Sequence, residues 1–223
     1  MNAYIFDTET TGSEQPDLIE AAWLRVTDPA TLQVTAQFEQ RYKPRHPNTL
    51  GALAVHHIYD EELISCPPCT DFVFPPDASY MIGHNIDYDW NVVQQPEVKR
   101  ICTLALSRMV LPDLDSHSQS ALMYYFFRPH ARERLKSAHS ALADVQNCKY
   151  LLQKLIPLLP TPISTWEQLW EQSEIARLPR VMPFGKHKGL PMAELPVDYQ
   201  DWLLRQDNMD PYIKLAIQKM RQA

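Results

Sequence analysis

The stretch Ala3-Tyr4-Ile5-Phe6-Asp7-Thr8-Glu9-Thr10-Thr11-Gly12 decides the fold. Its four leading apolar residues, 3–6, read as a short buried strand that runs straight into charge. Residues i and i+2 of an extended chain point to one face, so the carboxylates of Asp7 and Glu9 can converge on one ion. Gly12 then permits a tight exit. A lone Asp-x-Glu is common by chance, so its weight depends on what the rest of the chain brings to the end of that strand.

Outward from this strand, Leu18–Val26 and 31–42 read as two further strands separated by a turn at Asp28-Pro29, with alternation visible at Val34, Ala36 and Phe38. A short helix is expected over 48–54, then a Pro-rich loop over 65–78. Strands follow at 80–83 and 98–102, and helices at 87–94, 103–110, 118–127 and 137–155. Strands first, then strand–helix alternation, predict an α/β domain with a mixed five-stranded sheet flanked by helices. Pro157, Pro160 and Pro162 close the last helix. The expected division is therefore a domain over 1–157, a Pro-rich linker over 158–165 and a small, mainly helical module over 166–223. Its helices are placed at 166–176, 195–206 and 212–221, with Tyr199, Trp202 and Leu203 on one helical face as its core.

The bulk numbers agree with one medium domain plus an appendage: 223 residues, 45% of them hydrophobic, are enough to bury a core. No apolar run approaches the ~20 residues of a membrane span, so no membrane partner is expected. The N-terminus has no basic region before its apolar residues and does not read as a signal peptide. Four cysteines without framework spacing point to a reducing cytoplasm. Cys66-Pro67-Pro68-Cys69 lacks the second pair that a zinc site needs, so it reads as loop. The net charge of −6 is concentrated in residues 1–163, with 13 Lys+Arg against 19 Asp+Glu, while 164–223 are balanced at 8 and 8. Such a surface argues against a long footprint on duplex DNA but not against a cleft that holds a few nucleotides. Arg128, Arg132, Arg134 and Lys136 form a basic cluster, read either as a solvated loop or as a phosphate contact.

Two more motifs complete the chemistry. His84-Asn85-Ile86-Asp87-Tyr88-Asp89 follows the 80–83 strand, where α/β domains place ligands. His139-Ser140-Ala141-Leu142-Ala143-Asp144 enters the long 137–155 helix. Each is weak alone. Together they give four carboxylates and one histidine at strand ends and helix starts, the set that two-metal phosphodiester hydrolysis needs. Oxygen ligands suit Mg²⁺ better than zinc, and an imidazole with an ordinary pKa near 6.5 can take a proton from an attacking water.

At these residues the sequence resembles the DEDDh branch of the DnaQ-like exonucleases, which have a ribonuclease H-like fold. Asp7-x-Glu9, Asn85…Asp89 and His139-x4-Asp144 match the three motifs of that family, supported by Ile19-Glu20, His56-His57-Ile58 and Ile101-Cys102-Thr103-Leu104. Ser140 stands where the tyrosine branch would have Tyr, so the histidine branch is the one matched. The resemblance spans roughly residues 1–157. It implies a 3′→5′ exodeoxyribonuclease with a place in DNA repair, acting on single-stranded or frayed DNA 3′ ends and releasing 5′-mononucleotides. It further implies two Mg²⁺ ions, with Mn²⁺ able to substitute. By resemblance Asp7, Glu9, Asp89 and Asp144 hold the metals and His139 is the general base. Thr10, Thr11 and Gly12 approach the terminal nucleotide by backbone, Ile58 packs near its base, and Asn85 joins the substrate-binding set. The same motifs occur in ribonuclease T-like and oligoribonuclease-like RNA 3′ exonucleases, and an accessory or proofreading subunit that docks to a polymerase or repair complex is a further alternative. The tail, with Met182-Pro183-Phe184-Gly185-Lys186-His187-Lys188-Gly189, resembles a small module appended to some members. It is open to a protein partner, a nucleic-acid partner, or a plain packing role.

Overall fold

Strand β1 (Asn2–Thr10) is the central strand of a five-stranded mixed sheet in a computed structural model that describes residues 1–222. Its neighbours are β2 (Leu18–Val26), β3 (Val34–Arg41), β4 (Ala78–Gly83) and β5 (Lys99–Cys102), in the order β3-β2-β1-β4-β5. The first three strands form an antiparallel meander, and β4 and β5 add in parallel. The expected mixed five-stranded sheet flanked by helices is thus the observed one. β1 is longer than the 3–6 segment because pairing with β2 carries it past its apolar residues, as far as Thr10↔Leu18.

The connecting helices are α1 (Leu50–His56), α2 (Asp60–Leu63), α3 (Asp87–Val92), α4 (Thr103–Val110), α5 (Gln119–Arg134) and α6 (Ala141–Leu155). Helix α5 continues beyond the expected end at residue 127. Phe127 is non-helical and Pro129 follows, so the expected terminus marks a kink rather than a stop. Helix α6 begins four residues later than expected, because His139 has a φ of 67° that no right-handed helix accommodates.

The sheet has two distinct faces. Tyr4 and Phe6 pack into an aromatic cluster with Trp23, Phe38, Phe72 and Phe74. Alternation along β1 turns Ile5, Asp7 and Glu9 to the opposite side, where α6 packs over β1 and β2 with Val145, Cys148, Leu151 and Leu152 buried.

The chain divides into two compact units, Met1–Ser173 and Glu174–Ala223. The division falls inside α7 (Trp166–Ala176), not along the 158–165 stretch. Three side chains of α7 explain why its first turns belong to the first unit. Trp166 donates to the Thr27 carbonyl (3.1 Å), Glu167 accepts from Tyr80 (2.7 Å) and Lys99 (2.5 Å), and the Ser173 hydroxyl accepts from the Cys102 N–H (2.9 Å). The second unit holds α8 (Val197–Arg205) and α9 (Pro211–Gln222), packed with Met182, Met192 and Leu195 around Leu203, Ile213 and Ile217. Pro196 starts α8 two residues later than expected. Trp202 departs from its expected core position: adjacent helical residues point about 100° apart, so burying Leu203 turns Trp202 outward. No helix among the described residues is long and apolar enough to cross a membrane.

Candidate active site and metal centre

The site forms where β1 outruns β4. The parallel ladder between them ends at Ile5↔Ile82, and the chain of β4 leaves through Gly83. A Cβ at Gly83 would stand 2.9 Å from the Phe6 carbonyl, so only glycine lets the two backbones part this closely. Beyond the fork, the Thr8 N–H has no strand partner on that side. Asp89, arriving on α3, accepts from both the Thr8 N–H (2.9 Å) and its hydroxyl (2.7 Å) through one oxygen, Oδ1. Asn85 makes the turn into α3 with a φ of 67° and is exposed.

The third motif reaches the same place. The His139 N–H donates to Asp144 Oδ2 (3.0 Å), which ties the left-handed turn to the first turn of α6. Ligand atoms of Glu9, His139 and Asp144 all lie within 4.8 Å of one another, with Glu9 buried and the imidazole exposed. Asp7 is half-buried on the same face of β1 as Glu9, and the charges of Asp89, Asp144, Glu9 and Glu20 all act on its carboxyl. The five expected residues therefore meet, although Asp7 and Asp89 stand outside the tightest trio.

The electrostatics follow from this crowding. Burial, reinforced by Asp89, Asp144 and Glu9, pushes the Asp7 carboxyl well above the usual carboxylate range. Burial, then Asp144, Glu20 and Asp89, raise Glu9 to about 9. Asp89 is raised to about 7 by burial against the opposing pull of the Thr8 hydrogen bonds. Asp144 is raised by burial too, partly offset by the His139 N–H. Among the described residues none of these four carboxylates pairs with Lys or Arg. A cluster of buried acids without its own counter-charge fits a hard divalent cation, which takes oxygen ligands and removes the repulsion.

Other expected contacts fare differently. Thr10 and Gly12 are drawn together by Tyr88, whose hydroxyl donates to the Gly12 carbonyl (2.8 Å) and lies 2.6 Å from the Thr10 hydroxyl. The Thr11 N–H and carbonyl are both taken, by the Asp17 carbonyl (3.0 Å) and the Thr49 N–H (2.8 Å). Ile58 is not brought to the cluster. It is buried with Ile19 and Leu63 in a small apolar group. Of the basic cluster, Arg134 stacks over Tyr150 (4.0 Å) and Lys136 pairs with Glu133 (2.7 Å), which leaves Arg128 and Arg132 exposed along a groove with Tyr124 and Tyr125.

In the sequence Glu20 stands only as part of the supporting match Ile19-Glu20. Glu20 is buried directly across the ladder from Glu9, accepts from the Ala141 N–H (2.9 Å) at the start of α6, and pairs with Arg41 (3.1 Å). It thus docks the helix that carries Asp144. The available signal was a carboxylate in the apolar run Leu18–Val26, since charges there are buried only with partners.

Comparison with known proteins bears on this geometry. Exodeoxyribonuclease 10 of Escherichia coli (strain K12) is 27% identical over 219 residues, covering 96% of both chains. The chain is a homologue of that protein. At 96% of both chains the match extends into the C-terminal unit as well as the exonuclease fold. DNA polymerase III PolC-type of Latilactobacillus sakei is 28% identical over 68% of this chain and 11% of its own length. Among solved structures, exonuclease X in complex with 5′-overhanging duplex DNA superposes with a TM-score of 0.62, at 23% identity, over 77% of this chain and 99% of that one. E. coli exonuclease I in a complex with single-stranded DNA gives a TM-score of 0.57 at 17% identity, over 71% of this chain and 41% of its own. The fold is thus that of the ribonuclease H-like exonucleases. Residues 171–216 match a separate family model described as "Putative quorum-sensing-regulated virulence factor".

Proposed function

We propose that this chain is a divalent-metal-dependent 3′→5′ exodeoxyribonuclease that releases 5′-mononucleotides from single-stranded or frayed DNA 3′ ends, in a repair role in the cytoplasm. The carrying observation is the gathering of Asp7, Glu9, Asp89, Asp144 and His139 around the β1–β4 fork with no Lys or Arg paired to these carboxylates among the described residues. The homology to exodeoxyribonuclease 10 supports DNA as the substrate, and four free cysteines suit a reducing compartment.

Asp7, Glu9, Asp89 and Asp144 would hold two ions, Mg²⁺ by preference for oxygen ligands, with Mn²⁺ able to replace it. When bound, such ions supply a metal-activated water as nucleophile and stabilise the departing 3′-oxygen. The chain's own residues do the rest. His139 presents an exposed imidazole beside Glu9 and Asp144, where it removes the proton of the attacking water. The Thr8 donors hold Asp89 through Oδ1 and fix the carboxylate that would help hold the ions. Tyr88 fixes the backbone at Gly12, and Thr10, Thr11, Gly12 and Asn85 line the approach of the terminal nucleotide.

One gel tests the reading. End-labelled DNA and RNA oligonucleotides, single- and double-stranded, are incubated with Mg²⁺ and with EDTA. Expected is stepwise shortening of DNA from the 3′ end with Mg²⁺ only. Full activity in chelator sinks the metal centre, and preferred cleavage of RNA transfers the assignment to the RNA exonucleases of the same motif set.

A further inference from the structure

The C-terminal unit exposes aromatic rings, and the short basic turn Lys186-His187-Lys188 meets one pair of them. Trp202 is 45% exposed and Phe184 41%, which is unusual for rings in a unit that buries Met182, Met192 and Leu203 completely or nearly so. The Trp202 ring stacks on Tyr199 at 5.5 Å and 20°. Tyr199 is braced from elsewhere: the His187 ring meets it edge-on at 4.5 Å, and Lys186 Nζ lies 5.3 Å from its centroid. Gly185 has a φ of 71°, and a Cβ there would approach the Tyr199 hydroxyl to 3.1 Å, so the glycine lets the basic turn close over the ring.

The charges point outward. Lys186 and Lys188 are exposed and pair with no carboxylate among the described residues; Asp201, beside Trp202, is held by Arg221 (2.8 Å), and Asp198, one turn earlier on α8, is the exposed acid nearest the stack in sequence. The unit carries 8 Lys+Arg against 6 Asp+Glu, whereas residues 1–173 carry 13 against 21. A braced ring stack that ends in an open indole beside unpaired ammonium groups suits a flexible polyanion that also carries flat rings. A protein partner for two exposed rings would not call for the unpaired lysines, and a duplex hides its base faces.

We infer that the Tyr199–Trp202 stack and the basic turn Lys186-His187-Lys188 against it bind single-stranded DNA, with a base extending the stack on Trp202 and phosphates meeting the two lysines. The choice of DNA over RNA rests on the proposed function; the binding chemistry does not. Held there, a strand is tethered to the same chain as the exonuclease unit, which raises its local concentration.

The test uses the full chain in EDTA, where binding is read without cleavage, by fluorescence anisotropy of labelled dT20 across a salt titration. Lys186→Glu/Lys188→Glu is expected to weaken binding about tenfold and to lower the salt slope by about 1.4, two phosphates' worth on a single strand. Trp202→Ala is expected to weaken it about tenfold with the slope unchanged, and Trp202→Phe to restore most of it. Hydrolysis of a trinucleotide with Mg²⁺ should stay at the wild-type rate in all three. Unchanged affinity and slope in the variants, no dT20 binding by the wild type, or a matching loss of trinucleotide hydrolysis would each overturn the inference. A wild-type chain that binds dT20 but cleaves nothing with Mg²⁺ leaves it standing and removes the proposed function instead.

Discussion

Asp17 and the carboxylates at the β1–β4 fork lie in the same unit and are treated in opposite ways. Asp17 is buried, yet it accepts from the Arg45 N–H (2.9 Å) and the His46 N–H (3.0 Å) and pairs with the Arg45 guanidinium and the His46 ring. Burial alone would push its pKa up, but the hydrogen bonds from Arg45 and His46 overcome that and hold it below the usual range. Glu9 and Asp89 are buried too and Asp7 and Asp144 half-buried, none of them pairs with Lys or Arg among the described residues, and all four are pushed up. A structural acid brings its counter-charge in the chain; these acids leave theirs to be supplied from outside.

The sharpest break of the comparison is Asp144→Asn. Losing a proposed metal ligand should lower kcat by about 10³-fold or more, since several kcal/mol of charge stabilisation go with it. The melting temperature without metal should stay or rise, because one repulsive charge has gone; thermal scans with steady-state rates on dT20 decide it. Asp17→Ala should do the reverse. It strands the Arg45 and His46 donors and should cost about 2 kcal/mol, seen as lower urea resistance, while kcat stays within about threefold.

A third measurement uses pH. Raised folded-state pKa values mean that the native chain without metal binds more protons than the unfolded chain between about pH 4 and 9. Its stability should therefore fall as pH rises through that window, and Mg²⁺ should raise the melting temperature more at pH 8.5 than at pH 5.5. Equal shifts at both values would contradict the depicted proton–metal competition. The smallest effect is expected for Glu20→Gln, which keeps the acceptor for Ala141 but loses the charge facing Arg41; kcat/KM should drop about tenfold, read from initial rates.

Much of this was legible in the chain. The i, i+2 carboxylates of β1, the strand into Gly83 and the helix behind His139 follow from local periodicity and turn chemistry, which need no knowledge of distant partners. What escaped depends on pairing across the fold. Glu20 looks like a stray charge until the register sets it opposite Glu9 and below Ala141. Ile58 sits in a recognisable segment, but its side chain was claimed by Ile19 and Leu63. The α7 boundary was hidden because Trp166, Glu167 and Ser173 find partners as far away as Thr27, Tyr80 and Cys102. Trp202 was misplaced because a helical stripe of apolar residues does not say which edge of the stripe is covered.

The Thr8–Asp89 and Glu20–Ala141 bonds close loops of 81 and 121 residues. Contacts of such separation form late, after the entropy of long loops has been overcome. A nascent or partly folded chain therefore holds scattered acids and no ion cradle, and destructive chemistry becomes available only once the sheet and α6 have closed around it.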